Sequence, residues 1–239
     1  MLKPRFLTVH TLHSGFVPLI AGSSIFPPVD LADRDGLLMI DGDLSTAWLL
    51  EAYENGIFPW PIIDNVRTLL TWWSPDPRAI LELDDLRVSR RLLRRIKSRR
   101  FEVTVNHDFS AVIRKCAEPR GDDGQSWITS DLIDAFCQFH QEGHVHSVEV
   151  WEESRLVGGI YGVAIGGFFA GESMFCRVTD ASKIALYHLV QRLKSRGFTL
   201  FDIQQSTPHM MSLGAIGISR KEFLLRLNAA RRLPVSFVD

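Results

Sequence analysis

Cysteine is scarce and poorly placed for chemistry. The 239 residues hold three, Cys116, Cys137 and Cys176, odd in number, far apart and without a C-x-x-C pair. That argues against a disulfide framework or a thiolate zinc site and points to a reducing, cytoplasmic setting. A charged-then-apolar leader is also missing, because Pro18 and polar residues interrupt Phe16 to Ile25. No Walker loop, Rossmann glycine fingerprint or H-E-x-x-H occurs, and Gly171-Glu172-Ser173-Met174-Phe175 lacks the closing glycine of a nucleophile elbow. His144 and His146 alternate, but spacing supplies no third ligand, so no metal is expected. No apolar run is long enough to span a bilayer. Leu156 to Ala170 is uncharged yet falls short of the ~20 residues required. Acid, finally, is absent from residues 87 to 100, where Arg87, Arg90, Arg91, Arg94, Arg95, Lys97, Arg99 and Arg100 leave the rest of a chain of net charge −1 at −9. Such an asymmetry points to a polyanionic partner.

What is present centres on Leu156 to Leu193. Six of the sixteen positions from Leu156 to Gly171 are glycine, which disfavours a helix. Ile160, Gly162 and Ala164 alternate with Tyr161, Val163 and Ile165, and Gly166-Gly167 supplies a turn, so a buried β-hairpin is expected. Glu172 then stands at the end of an apolar wall, where a carboxylate must find a partner, shift its pKa or act. A long helix follows, capped by Asp180, with Ala185, Leu186, Leu189, Val190 and Leu193 on one face. The next strand, Thr199 to Ile203, carries Asp202. Gln204, two residues on, is expected to point to the same side.

Other helices have legible starts. Ser45 caps one that carries Trp48, Leu49 and Tyr53 and ends at Gly56, while Asp108, Thr129 or Ser130, and Ser219 cap three more, the last with Glu222 as a capping box. Ser89 caps the basic helix. On a wheel Arg87, Arg90, Arg91 and Arg94 share one arc opposite Leu92, Leu93 and Ile96, so the helix docks by an apolar edge and offers arginines to a phosphate backbone. Trp60, Trp72 and Trp73 lie within fourteen residues, beside four prolines. Aromatics in Pro-fixed loops can stack on a nucleobase, though aromatic glue between two small domains fits nearly as well.

The order strand, helix, strand, Gly-rich hairpin, long helix, strand resembles the GNAT acyltransferases. Residues 177 to 182, where those enzymes grip coenzyme A, contain no glycine and an acid, so that cofactor fits poorly. The motifs FPP (26–28), GDLS (42–45), AYENGIFPW (52–60), WWSPDPRA (72–79), SWIT (126–129), GHVHSVEVW (143–151), LVGGIYGV (156–163), FFAGESMF (168–175), ASK (181–183) and SLGA (212–215) together resemble the leucyl/phenylalanyl-tRNA protein transferases. The resemblance implies an α+β chain with a small N-terminal α/β domain, residues 1–72, and a larger GNAT-like domain with a mixed sheet, residues 73–239. It implies transfer of Leu, Phe or less efficiently Met from Leu-tRNA, Phe-tRNA and their like to proteins or peptides beginning with Arg or Lys, marking them for the N-end rule pathway. No cofactor, membrane or DNA is implied. Tyr53, Trp60 and Trp127 would meet the 3′ adenosine, and Arg87, Arg90, Arg91, Arg94 and Arg95 the acceptor stem. Ile160, Phe169, Leu186, Leu189 and Phe201 would line an open aminoacyl pocket. Asp202, Gln204 and Glu172 would be catalytic, with Asp202 polarising Gln204. Phe136, Ile160, Leu189 and Asp41 depart from the family's usual Tyr, Met, Phe and Gly. A coenzyme A-dependent acetyltransferase and a non-catalytic tRNA-binding module are the competing readings.

Overall fold

The computed structural model describes residues 24–63, 68–119 and 126–238; residues 120–125, which with Ser126 read by sequence as a polar, Gly-containing loop, lie outside them. In the first part of the chain come β1 (Leu37–Ile40), α1 (Thr46–Glu54), β2 (Phe58–Pro59), the short antiparallel pair β3 (Ile62–Ile63) and β4 (Thr68–Leu69), and β5 (Thr71–Trp73). β5 pairs antiparallel with both β1 and β2, making a small three-stranded sheet. Asp41, expected to stand where a glycine is usual, takes φ +75°, a left-handed conformation that Asp tolerates better than most residues.

The remainder runs β6 (Arg78–Ile80), α2 (Arg90–Lys97), β7 (Glu102–Val105), α3 (Phe109–Ala117), α4 (Ser130–Gln141), β8 (Val145–Glu152), β9 (Arg155–Ile165), β10 (Phe168–Cys176), α5 (Ala181–Ser195), β11 (Leu200–Gln204), α6 (Pro208–Ser212), β12 (Ile216–Ile218) and α7 (Arg220–Ala230). Seven strands form one mixed sheet in the order β12-β6-β11-β10-β9-β8-β7, parallel only where β10 meets β11. This is the expected α+β arrangement with a mixed sheet. Among the described residues no helix is long and apolar enough to cross a membrane.

Local chemistry sets most helix starts. Ser89, Asp108, Thr129 and Ser219 each accept the amide three residues ahead, contacts worth ~1 kcal/mol apiece. Three capping expectations are met in position only. Ser45 makes no side-chain cap bond. Glu222 turns to Arg226 at 2.5 Å rather than back to Ser219, so the box is half made. Asp180 sits at φ +70° and its carboxylate meets Arg95 Nε at 3.3 Å instead of capping α5.

The period of two along β8 to β11 sorts side chains into two cores. Tyr161, Val163, Phe168, Ala170 and Leu200 join α1, α3, α4 and α7 on one face, while Ile160, Phe169 and Phe201 pack under α5 on the other. Gly162 is required by this packing, since a Cβ there would lie 2.5 Å from the Phe169 ring and 2.2 Å from the Ala170 carbonyl. Phe168, Phe169 and Ala170 pair in parallel with Leu200, Phe201 and Asp202, and the pairing stops there although both strands continue. The sheet therefore forks, and a bulge in β10 between Gly171 and Ser173 lies at the crotch.

Candidate active site

Three polar side chains converge at the fork. Gln204 Nε2 donates to Glu172 Oε1 at 2.7 Å, bridging the two diverging strands. Asp202 is wholly buried, and Arg78 grips it through Nε to Oδ1 at 2.9 Å and Nη2 to Oδ2 at 2.7 Å. The Gln204 backbone N–H also donates to Asp202 Oδ1, at 2.8 Å. Gln204 has φ +64°, and the ladder to β6 shifts between Asp202 and Gln204, so simple alternation does not govern its direction. Asp202 thus meets Gln204 at the backbone, and the Gln204 side-chain amide is spent on Glu172.

Arg78 was not singled out in the sequence. It stands at the head of the apolar run Arg78-Ala79-Ile80-Leu81, and a cation entering a buried strand must have a partner, which is the signal that could have found it. Its third donor, Nη1, reaches the Gly56 carbonyl at 3.0 Å, and its guanidinium lies 4.7 and 4.5 Å from the ring centres of Phe58 and Phe223. One buried cation therefore joins the small sheet, β11 and α7.

Glu172 Oε2 and the Tyr53 hydroxyl are both shut from water and neither makes a hydrogen bond of good geometry, yet they lie close enough to perturb each other. Burial dominates, and the nearby Asp202 charge adds to it, so the Glu172 carboxyl is pushed up to about 8 despite the opposing pulls of Tyr53, Arg78 and Gln204. Burial, then Glu172, also raises the Tyr53 phenol. At neutral pH Glu172 is mostly the neutral acid.

The expected adenosine residues separate. Trp60 and Trp127 are half-buried neighbours with ring centres 6.4 Å apart in an edge arrangement, and Trp60 also lies 6.0 Å from Trp73. Tyr53 has no open face. It is 1% exposed and stacks on Phe139 at 6.5 Å beneath the surface. The five expected pocket residues do form one cluster, but Ile160 and Phe169, Leu186, Leu189 and Phe201 are all 5% exposed or less, packed on one another and on α5. The slot, expected open, is closed in this structure. A cavity of 310 Å³ does lie beside it, lined by Met174 to Arg177 past the fork and by Lys115, Glu118, Ser182 and His209.

The basic helix is shorter than its charge run. Arg90 is its first residue, so Arg87 lies before it, with its backbone amide bonded to the Leu213 carbonyl. Leu92 is buried, whereas Arg90, Arg91 and Arg94 are exposed as the wheel requires. Arg95 is engaged instead with Asp180 and, through Nη1 at 2.7 Å, with the Thr179 carbonyl. His146 is buried on the sheet. Its Nδ1 lies 2.9 Å from Asn106 Nδ2, burial and neighbouring His140 and Arg192 hold it down to about 4, and no group of three or more His, Cys, Asp or Glu among the described residues could hold a metal.

Residues 80–228 match the model of the leucyl/phenylalanyl-tRNA protein transferase family, and residues 42–76 match its N-terminal domain. A leucyl/phenylalanyl-tRNA–protein transferase of Solidesulfovibrio magneticus is 51% identical over 87% of this chain and 83% of its own length. One from Aromatoleum aromaticum is 48% identical over 87% of each. The chain belongs to the leucyl/phenylalanyl-tRNA protein transferase family. Solved structures are more distant. L-PGS from Bacillus licheniformis is 14% identical over 66% of this chain and 50% of its own, with a TM-score of 0.39. A GCN5-related N-acetyltransferase from Kribbella flavida is 13% identical over 71% and 60%, with a TM-score of 0.38. The chain thus spans only half to three-fifths of those two molecules, and neither likeness bears on function. Phe136, where Tyr is expected to be usual, is 1% exposed and lies edge-on to Tyr161 at 5.8 Å.

Proposed function

We propose that this protein transfers Leu, Phe and less readily Met from aminoacyl-tRNA to the N-terminal Arg or Lys of acceptor proteins, marking them for degradation by the N-end rule pathway. Family membership along 87% of the chain carries the reading. A cytoplasmic setting belongs to the same proposal and suits three cysteines without a disulfide. So does the division into residues 1–72 and 73–239; the separate three-stranded sheet agrees with two units, while its strand β5, Thr71–Trp73, runs across that boundary.

The acceptor's α-amine attacks the ester carbonyl, the bond to the ribose oxygen breaks, and that oxygen leaves with a proton. Little help is needed. An α-amine of pKa ~7.7–8.0 is already roughly a tenth neutral at pH 7, and holding amine and ester in register can supply ~7–11 kcal/mol. In this proposal Trp60 and Trp127 stack the 3′ adenosine, and the aminoacyl chain enters between β10 and β11 as Ile160, Phe169, Leu186, Leu189 and Phe201 part around it. Glu172 and Gln204 align the ammonium and carbonyl groups at the fork. Tyr53 supports Glu172 from below. Asp202 holds the Gln204 backbone rather than abstracting a proton, which the Arg78 clamp favours. Arg90, Arg91 and Arg94 track the acceptor stem, with Arg87 at its margin and Arg95 holding the helix in place.

Labelled Leu-tRNA incubated with an Arg-initiated peptide should yield labelled peptide; label that stays on the tRNA overturns the proposal. Gln204→Ala should lower turnover well beyond its effect on tRNA affinity, and equal loss of both rejects its role after binding. Arg90, Arg91 and Arg94 changed together to Glu should weaken tRNA binding at least tenfold at low salt. Unchanged affinity in a filter-binding titration would remove the helix from the interface.

A further inference from the structure

The segment that follows α7 crosses from one face of the large sheet to the other, and a phenylalanine is what it delivers. Phe223, Leu227 and Ala230 of α7 pack on the face opposite α5. The chain then rounds the β9–β10 turn, where Gly166 has φ +53° and a Cβ on it would lie 2.4 Å from the Arg231 carbonyl, while Gly167 N–H donates to the Ala230 carbonyl at 2.8 Å. Beyond the turn Val235, Phe237 and Val238 join the α5-side core. Phe237 is 2% exposed, and its carbonyl accepts from Arg192 Nε at 2.8 Å.

Its ring completes a row. Phe201 meets Phe169 at 5.7 Å, Phe169 stacks on Phe237 at 5.3 Å and 27°, and Phe237 stacks on His146 at 4.6 Å and 16°. The row lies over the place where β9 carries Gly162, whose missing side chain leaves room for the Phe169 ring. Phe169 therefore has the sheet below it, Phe201 on the fork side and Phe237 behind. Leu186 and Leu189 of α5 cover it in the same cluster, and Phe237 is the ring stacked on its far side from Phe201 in the row. A close-packed interior transmits such a constraint, since a ring displaced by a fraction of an ångström changes the volume its neighbour can occupy.

We propose that Phe237 is a specificity-determining positioning residue, which backs Phe169 and so sets the depth of the slot that receives the donor's side chain. The inference rests on the slot reading given above. With the backstop in place the slot is short, and removing it lets Phe169 retreat and lengthens the slot, favouring the longer aromatic chain over the branched aliphatic one. The test is kcat/KM for Phe-tRNA relative to Leu-tRNA in Phe237→Ala and Phe237→Leu, with Leu189→Ala as a direct slot control. A hydrophobic pocket discriminates by roughly ten- to two-hundredfold per methylene gained or lost, so the Phe-to-Leu ratio should rise about tenfold in Phe237→Ala and by less in Phe237→Leu. The Leu variant retains most of the apolar volume and supplies the answer if the Ala variant does not fold. Should both donors fall in parallel in the Phe237 variants while Leu189→Ala shifts their ratio, Phe237 is merely structural and the inference is overturned alone. An unmoved ratio in all three overturns the slot reading with it.

Discussion

Arg78→Met is expected to destabilise the protein by roughly 3–5 kcal/mol, the range found when one partner is removed from a buried ion pair. The reason is geometric as well as electrostatic. Arg78 and Asp202 are 1% and 0% exposed, share two hydrogen bonds, and depend on each other for charge balance. Deleting the guanidinium also leaves the Gly56 carbonyl without its donor and empties the space between Phe58 and Phe223. Asp202 would be left with the Gln204 backbone N–H as its remaining bond. Because replacing a whole buried pair by apolar residues is often neutral, Arg78→Met combined with Asp202→Leu should regain much of the lost stability. Transfer activity should not return with it, since the Gln204 backbone has lost its anchor. Urea unfolding of the single and double variants checks this. A single-variant loss under about 1 kcal/mol, or a double variant less stable than the single, would show that the pair does not bind the two parts of the chain together.

Glu172→Gln should change how stability depends on pH. The folded-state pKa, about 8, lies above the ordinary value of 4.5 because burial penalises the charged form. The sign follows from linkage: the neutral carboxyl's contribution is complete below about pH 4.5 and is lost as pH rises through 8. The wild-type protein should therefore lose stability between pH 5 and pH 9 relative to the Gln variant, which cannot ionise. The two should be close at pH 5, and the variant should be ahead by on the order of a few kcal/mol at pH 9. Thermal melts at the two pH values measure the gap. If it does not widen with pH, Glu172 is not held neutral in the fold. Gln is also close in shape to the protonated acid, so the variant should retain the bridge between β10 and β11 and report on charge alone.

Several features could be read locally and hold in three dimensions. The Gly166-Gly167 turn joins β9 to β10, and Ser89, Asp108, Thr129 and Ser219 cap their helices, because each depends on residues within three or four positions. The aliphatic alternation of β9 likewise separates Ile160 from Tyr161 onto opposite faces. Where the reading departs from the structure, a distant partner intervened. Arg95 belongs to a basic run by sequence, yet Asp180 claims it, and that contact also removes Asp180 from its capping role. Arg87 fits the wheel, but its backbone is held by Leu213 before the helix begins. Gln204 obeys a period of two only on a flat ladder, and the pairing shifts at that residue.

The amino-acid order alone determined the family, the central hairpin with the long helix after it, and Glu172, Asp202 and Gln204 as one polar group, since motifs, periodicity and caps are carried by near neighbours. Only the tertiary structure decided that Arg78 clamps Asp202 across 124 positions, that burial raises the pKa of Glu172, that Tyr53 lies beneath the surface and that Ile160, Phe169, Leu186, Leu189 and Phe201 pack closed on one another. Each of those depends on the surrounding dielectric or on a partner far along the chain, and neither quantity exists until the chain has folded.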